Sequence, residues 1–381
     1  MPEPKYQISL DGEALDPAVL ALVSRIEVRE SDSEPSYCAI RMNLAQEKDG
    51  SFHPIDDDAF VLGAKLGFVV EVPGGARTHF FQGFVTHLRP HFEAIESNSY
   101  IEILAMDAAV LMNAGERVAS YPDTTDADAA KDVFSKYGFD LSPSSTTTKH
   151  EEQTQLLMQR STDWRFVQKL AKRNGFVCYF ETDPTSGDVV PKFCPRDVAG
   201  TAQADLTLLR ENANLKWVDL QLVGTGPSRY EGAAYDPLRK KVVEGQPSDE
   251  PTLAGGKAVD ALVDEAMTGA GAEATAFYLR DALPIETAVS AEVGATSRTA
   301  RFAIEARGEV DTPLYRGLLR ARKPVLIKGV GRNFAGTYWV RAVRTSLEEG
   351  VIAQTFVAER DAYGLTGGES FGGSAEEVGP Q

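Results

Sequence analysis

Two segments of this 381-residue chain carry nearly the same pattern, and this repetition constrains the fold more than any other feature. The segments are FQGFVTHLRPHFEAIESNSY and FAGTYWVRAVRTSLEEG. In each, an aromatic residue, one spacer and a glycine open an alternating strand, and a second strand ends at an Asp-Ala pair. The landmarks are Phe81, Gly83 and Asp107 in the first segment and Phe334, Gly336 and Asp361 in the second. Glycine and aspartate lie 24 residues apart in the first segment and 25 in the second, which predicts two equivalent β-hairpins.

Short alternating segments surround both hairpins and predict two β-rich units. Six of them lie between residues 5 and 118, separated by Gly, Pro, Asp and Asn residues such as Pro73-Gly74-Gly75. We expect a mainly β fold, with a first small barrel over residues 1–118 and a similar one over 206–363. The second barrel is expected to contain a loop and helix insertion around 244–290, followed by a strand in TSRTARFAIEARGEV. Alternation and a glycine are common, so chance similarity of the hairpins stays open as an alternative.

Residues 119–205 have a different character, which predicts an inserted α+β module. In TTDADAAKDVFSKYGF, apolar residues recur at the spacing of one helical face. RSTDWRFVQKLAKRNGFVCYFE carries a second apolar stripe, with Ser161 or Thr162 as a cap and Asn174-Gly175 as the end of the helix. Because Trp164 lies on this regular stripe, it is predicted to be a core residue and not a ligand-binding aromatic.

The chain contains no motif that predicts catalysis, a cofactor or a metal ion. Cys38, Cys178 and Cys194 lack CxxC spacing, and the five histidines lack the spacing of a helical metal site. The glycine-rich GVGRNFAG falls between two strands, which favours a turn over a nucleotide loop. Among 56 acidic residues some pair of carboxylates will always have a suggestive spacing, so no such pair is evidence for a catalytic site. We therefore predict no catalytic, cofactor-binding or metal-binding residues and no enzyme activity.

Charge and hydropathy exclude several other classes of protein. The net charge of −17 disfavours specific binding to nucleic acid, because phosphate backbones are also negative. No apolar run approaches the roughly 18–20 residues of a transmembrane helix, so membrane insertion is not expected. The N-terminus MPEPKYQISL does not resemble a signal peptide, which favours synthesis in a bacterial cytoplasm. The Gly-rich residues 364–381 are predicted to be a disordered tail.

Two parts of the chain resemble the phage late control protein D family, which includes VgrG N-terminal regions and the tail hubs of contractile phages. In the module, the matching residues are Asp163, Trp164, Phe166, Leu170, Ala171, Asn174 and Gly175. In the closing region, F-x-G-x-Y-x-V and F-x-x-x-R-D-A match at Phe334, Gly336, Tyr338, Val340, Phe356 and Asp361. The resemblance covers roughly residues 5–365. Thr345 is a departure, since many family members have a histidine near this position.

The resemblance implies a homotrimeric baseplate hub, in which two similar barrels per chain form a pseudo-sixfold ring. Such a trimer acts as a symmetry adaptor between a hexameric tail tube, or its initiator protein, and a trimeric spike. VgrG proteins continue into a fused spike, whereas here the spike is expected to be a separate polypeptide. Baseplate wedge or LysM adaptor proteins are further implied partners, and the lumen could hold cargo. The protein would then be a component of a virion or a phage tail-like particle.

Two other interpretations remain open at this stage. A tail-associated cell-wall hydrolase or glycan-binding component would need an exposed carboxylate pair, and a zymogram on peptidoglycan distinguishes it. A plain two-barrel adaptor would stay monomeric, and light scattering distinguishes that one. The sequence leaves open whether the particle is a phage tail, a tailocin, an extracellular injection system or a type VI apparatus.

Overall fold

The computed structural model describes most of the chain. The described residues are 4–56, 60–72, 76–95, 98–153, 155–209, 212–236, 239–245, 254–272, 275–280 and 286–364. The turn predicted at Pro73-Gly74-Gly75, residues 246–253 of the insertion and residues 365–381 of the predicted tail lie outside these ranges.

The described residues of the first β unit form one short helix and nine strands. Its elements are β1 Lys5–Leu10, β2 Glu13–Ala14, α1 Pro17–Leu20, β3 Val23–Ser31, β4 Tyr37–Asn43, β5 Ala45–Gln46, β6 Phe52–His53, β7 Lys65–Glu71, β8 Arg77–His91 and β9 Tyr100–Met106. Alternate residues of the central strands point into one apolar core, in which Ile26, Ile40 and Ile103 are almost fully buried. The expected half-buried alternation is therefore present along these strands.

The α+β module follows directly and packs around two amphipathic helices. Its elements are α2 Ala109–Met112, β10 Glu116–Tyr121, β11 Thr124–Thr125, α3 Asp126–Ser135, β12 Lys149–His150, β13 Leu157–Thr162, α4 Asp163–Arg173, β14 Val177–Thr182 and β15 Val189–Cys194. Thr162 caps α4 by accepting a hydrogen bond from the N–H of Arg165, and Gly175 adopts a left-handed conformation just beyond its end. The two helices pack on β14 through a second apolar core.

The second β unit has a third core and carries a large insertion. Its elements are β16 Leu206–Thr207, β17 Leu215–Leu222, β18 Arg229–Asp236, β19 Lys241–Gly245, β20 Lys257–Ala258, α5 Val259–Gly269, β21 Thr275–Arg280, α6 Glu286–Arg301, β22 Ile304–Val310, α7 Thr312–Tyr315, β23 Pro324–Lys328, β24 Gly336–Glu348, β25 Val351–Arg360 and β26 Ala362–Tyr363. The third core lies between the long strands and α5.

The insertion is larger than expected. It contains a three-stranded sheet in the order β19-β18-β21, and α6 packs on this sheet. The strand predicted in TSRTARFAIEARGEV is wrong for its first six residues, because these belong to α6 and only residues 304–310 form β22. The helix was missed because it buries small residues such as Ala288 and Ala295, which leave a weak apolar stripe in the sequence.

The same order of six strands occurs in both β units. The order is β1-β7-β8-β9-β4-β3 in the first unit and β16-β23-β24-β25-β22-β17 in the second. The outermost pairing differs, since β1 runs antiparallel to β7 whereas β16 runs parallel to β23. β3 also pairs with β24, so that both units belong to a single 13-stranded sheet. Among the described helices, none has the length and hydropathy needed to span a bilayer.

Candidate functional site: the repeated hairpins and the arginine junction

The ladders around β8 and β24 show which residues of the two hairpins are equivalent. Each strand has a β-bulge against its hairpin partner, directly after Val85 in β8 and directly after Val340 in β24. The N–H of Val85 donates to the carbonyl of Ala64 at 2.9 Å, and the N–H of Val340 donates to that of Lys323 at 3.1 Å. A bulge marks a unique position along a strand. Val85 and Val340 are therefore equivalent.

The two motif glycines do not share a position in these ladders. Counted from the bulges, Gly336 corresponds to Phe81, and Gly83 corresponds to Tyr338. The predicted alignment of Gly83 with Gly336 is thus wrong by two residues. It rested on sequence spacing, whereas hydrogen-bonded pairing and bulges set the register of a sheet.

Each glycine is nevertheless required by a close approach of the chain. A side chain at Gly83 would overlap the backbone carbonyl of Met106. Gly336 has φ +143°, and a Cβ there would lie 2.5 Å from the guanidinium of Arg360. Only glycine combines this backbone conformation with this lack of volume.

The aromatic and apolar motif residues lie inside the protein. Phe81 belongs to the first core, and Tyr338, Val340 and Phe356 belong to the third. Phe334 is half-buried at the edge of that core, where its carbonyl accepts a hydrogen bond from the Tyr338 hydroxyl at 2.7 Å. These residues hold the hairpins in place and offer no surface for a ligand.

Both aspartates of the Asp-Ala pairs are buried and bind backbone N–H groups. Asp107 accepts hydrogen bonds from the N–H groups of Ser36 at 2.6 Å and Ala109 at 3.0 Å. Asp361 accepts one from the N–H of Ala254 at 2.9 Å. Burial raises the pKa of Asp107 to about 6, although Arg322 and the N–H donors act in the opposite direction. The two carboxyl groups therefore fix neighbouring loops.

The remaining motif residues form the first turn and the buried face of α4. Asp163 is fully buried and accepts hydrogen bonds from the Tyr137 hydroxyl at 2.7 Å and the Gln159 amide at 2.6 Å. Trp164 stacks on Phe180 with ring centroids 5.7 Å apart. Two further residues of this face, Phe166 and Leu170, are also buried in the second core.

Asn174 and Gly175 connect the end of α4 to its surroundings. The Asn174 amide donates to Asp126 at 2.6 Å, and the Arg173 guanidinium makes a two-pronged ion pair with the same carboxylate. His150 lies 2.7 Å from Asp126. Burial opposes ionisation of Asp126, but these hydrogen bonds and the charge of Arg173 outweigh it and lower its pKa. Gly175 lies against the backbone of Ala295 in α6, where a Cβ would come within 3.2 Å.

Replacing Asp126 with asparagine should remove a pH-dependent part of the stability. The pKa of Asp126 is depressed in the folded protein, so its stabilisation is present above the unfolded pKa of about 3.9 and is lost as pH falls through the lower folded value. We expect a loss of about 1–3 kcal/mol at pH 7 that shrinks towards pH 2–3. Denaturant titrations across this range measure it, with the exposed Asp132→Asn on the same helix as the control. An equal loss at every pH would contradict the ionic role.

Three arginines link the β units and the module, and we call Arg196, Arg320 and Arg322 the arginine junction. Arg322 is buried, and Arg196 and Arg320 are partly buried. Arg320 binds Glu30 with both prongs of its guanidinium, at 2.7 and 3.0 Å. Arg196 binds Asp32 at 3.1 Å and Glu359 at 2.9 Å. These ion pairs connect the first unit with the second and connect both with the module.

Arg322 is the most deeply buried member of the junction. Its guanidinium donates to the carbonyls of Ser31 at 2.8 Å and Phe180 at 2.6 Å, and to the hydroxyl of Ser36 at 2.7 Å. Its backbone has φ +67°, and by the ladder equivalence it occupies the position of Gly63 in the first unit, where φ is +88°. A left-handed backbone is costly for arginine. The contacts of the guanidinium offset that cost.

The sequence analysis missed the arginine junction. The only signal was RGLLRARKP, which places four cations within eight residues just before β23. A cationic run of this kind is usually a solvated face. Nothing in the sequence shows that its partners lie about 290 residues earlier in the chain, at Glu30 and Ser31.

A cleft of about 1090 Å³ lies between the module and α6. Its walls carry both polar and apolar side chains. The module contributes Thr146, Lys172 and Cys178, and the second unit contributes Ser290, Arg298 and Phe302. Arg196 and Asp32 of the junction also reach it. The cleft therefore marks the seam at which the module meets the second unit.

Comparisons with known proteins agree with this architecture. A family model described as the Alg8 N-terminal domain matches residues 3–192, just under half of the chain. No curated protein matches the sequence. A 43 kDa tail protein of prophage MuSo2 from Shewanella oneidensis has a similar structure, with 14% identity, a TM-score of 0.63 and coverage of 94% of this chain and 99% of that one. This chain has the tail-protein fold.

Secretion-system proteins share the tail-protein fold with this chain. An Escherichia coli component of the type VI secretion system, itself similar to bacteriophage T4 tail proteins, has 15% identity and a TM-score of 0.56 over 94% of this chain and 78% of that one. A chain of the Francisella PdpA–VgrG complex has 11% identity and a TM-score of 0.53 over 94% of this chain and 52% of that one. The predicted resemblance to tail hub and VgrG proteins is confirmed at the level of the fold.

Proposed function

We propose that this protein is the baseplate hub of a contractile tail or injection particle, and that a homotrimer joins a hexameric tail tube to a trimeric spike. One observation carries the proposal: two units with the same strand order lie side by side in one sheet. Three such chains present six similar units around an axis, and a hexameric tube needs six docking surfaces. A trimeric spike needs three, which the same assembly offers through its chain symmetry.

The contacts inside the chain suit a rigid adaptor. The ion pairs of Arg320 with Glu30 and of Arg196 with Asp32, in which the carboxylate is buried and the arginine partly buried, hold the units in one arrangement. Breaking a buried ion pair leaves an uncompensated charge and costs several kcal/mol, so relative motion of the units is disfavoured. A symmetry adaptor needs this rigidity, because its six surfaces must match the tube together. We propose no catalytic role.

We also propose that the lumen of the ring is acidic, and the net charge of −17 supports this. An acidic ring would repel nucleic acid and acidic cargo, so that material could pass the lumen without adhering. Wedge or LysM adaptor proteins would then bind the outer surface of the ring. The assembled location would be a virion or a phage tail-like particle.

The mass of the purified protein tests the proposal. We expect light scattering at micromolar concentration to give a trimer of three 41.3 kDa chains, about 124 kDa. Coexpression with a candidate tail-tube protein and a candidate spike protein should give a complex that contains all three. A monomer that stays monomeric with both partners would contradict the hub function.

A further inference from the structure

The two β units are joined inside the chain by one specific pair of strand edges. β3 pairs antiparallel with the second half of β24, from Ala342 to Glu348. The first half of the same β24 edge pairs with β23. We call the pairing of β3 with the second half of β24 the internal joint.

Each of the two strands in the internal joint has an equivalent strand in the other β unit. β17 corresponds to β3 in strand order, and each has a bulge after its first paired residue, Leu215 in β17 and Val23 in β3. The second half of β8 corresponds to the second half of β24, because the bulges after Val85 and Val340 match. The chain thus carries a second copy of each half of the joint.

These second copies have open edges in the described part of the chain. β17 pairs only with β22 and lies at one end of the large sheet. Within β8, residues 85–91 pair with β9 on one edge. On the other edge, residues 77–84 pair with β7 and Val85 is bonded to Gly63 and Ala64, which leaves residues 87–91 without a described strand partner. The open edges are on β17 in the second unit and on β8 in the first. The internal joint uses β3 and β24, so it leaves both of these edges open.

We propose that β17 of one copy pairs antiparallel with the second half of β8 of the next copy, in the register of the internal joint. The proposal deepens the proposed function, on which it rests, by naming the surface that closes the trimer. Transferring the register pairs Leu88 with Leu222, Arg89 with Gln221 and His91 with Asp219. Beyond the end of β8, Phe92 would face Val218.

Apolar side chains on these two edges are exposed to solvent, as is typical of a protein-binding surface. Leu222 is 38% exposed and Phe92 is 54% exposed. At the corresponding positions of the internal joint, Glu30 and Leu347 are 5% and 6% exposed. Exposed apolar residues in such a row mark interaction sites, and pairing would bury them as it does inside the chain. Arg89 and His91 would also meet the polar or acidic partners Gln221 and Asp219.

Pro90 limits how tightly this edge can pair. In the internal joint the N–H of Asp32 donates to the carbonyl of Arg341, so the N–H groups of Val343 and Thr345 also point to β3. Pro90 stands at the position of Thr345 and has no N–H, so the new joint lacks one hydrogen bond. A proline on an edge strand also hinders pairing with unrelated chains. The joint would therefore depend more on side-chain contacts than the internal joint does.

The proposed joint closes a ring because it repeats a relationship already present in the chain. Each chain has one internal joint and would form one joint with the next copy. Three chains then give six units and six similar joints, and a heterologous contact that closes on itself forms a ring.

A disulfide trap tests the joint. Arg29 and Arg344 form a non-hydrogen-bonded pair in the internal joint, and Arg89 and Gln221 are their equivalents. Such pairs place Cα atoms about 4.5 Å apart, within reach of a disulfide. In a Cys194→Ser background, the double variant Arg89→Cys/Gln221→Cys should give covalent two-chain and three-chain species on mild oxidation, and these should revert on reduction. Each single variant should give none.

A control in a shifted register and a mass measurement make the outcome decisive. Arg89→Cys/Asp219→Cys moves one cysteine by two residues along the same edge and should cross-link far more slowly. Equal cross-linking of both pairs would indicate random collision and overturn the joint. A trimer by light scattering without cross-links would overturn the joint and leave the hub function intact. A persistent monomer without cross-links would overturn both. Leu222→Asp should give a folded protein with the circular dichroism spectrum of the wild type that no longer forms trimers, and a trimer in this variant would also overturn the joint.

Discussion

Replacing Arg322 with methionine is expected to lower the free energy of unfolding by about 3–5 kcal/mol. The guanidinium is buried and donates hydrogen bonds to Ser31, Ser36 and Phe180, which belong to the first unit and the module. It also lies 4.4 Å from the ring centre of Tyr179. Methionine fills similar space without donors, so two buried carbonyls and a hydroxyl lose their partner.

Denaturant unfolding followed by tryptophan fluorescence measures this effect, because Trp339 donates a hydrogen bond to Asp32 beside the junction. Arg332→Met is the matched control, since Arg332 is exposed in the turn before β24. Arg322→Gly separates two contributions: it loses the same hydrogen bonds but relieves the left-handed backbone, so it should be less harmful than methionine. A loss below about 1 kcal/mol for Arg322→Met would show that the junction is not essential for stability.

Replacing Gly336 with valine should have a comparable effect and should also reduce assembly. The φ of +143° is unfavourable for a β-branched residue, and the new Cβ would lie 2.5 Å from the Arg360 guanidinium. Arg360 donates to the carbonyls of Ala335 and Gly364, and it would have to move. Overpacking and backbone strain together suggest a cost of about 2–5 kcal/mol.

Thermal unfolding and the yield of trimers or particles measure the effect of Gly336→Val. Gly115→Val is the matched control, because a Cβ at Gly115 meets nothing within 4 Å and its backbone is not left-handed. We expect the control to change stability by about 0.5 kcal/mol or less. Unchanged yield and unchanged thermal unfolding of Gly336→Val would show that this glycine is incidental.

Local pattern was sufficient for most of the single elements. Alternation located the long strands, and the cap at Thr162 with the stop at Gly175 located α4. These features depend on interactions between residues close in the chain, so they are visible in a sequence. The sequence did not predict α6, because its small buried residues form a weak apolar stripe. A strand was therefore wrongly predicted at residues 296–301, which belong to this helix.

The repeat itself was visible in the sequence, but its register was not. Two aromatic-Gly segments and two Asp-Ala pairs correctly indicated two similar hairpins, yet Gly83 and Gly336 stand two residues apart in the ladders. A bulge shifts the register of a strand against its partner, and the spacing of glycines in the sequence does not reveal this shift. The correct equivalence, Val85 with Val340, needed the hydrogen bonds to Ala64 and Lys323.

The amino-acid sequence by itself determined the class of this protein: two β-rich units, an α+β module between them and motif residues that now lie in the cores. Only the tertiary structure decided how these parts meet, through β3 on β24 and through Arg196, Arg320 and Arg322. The physical reason is the range of the interactions. Side-chain periodicity and capping act over a few residues, whereas strand-edge pairing and the Arg320–Glu30 ion pair join residues roughly 290 to 320 positions apart.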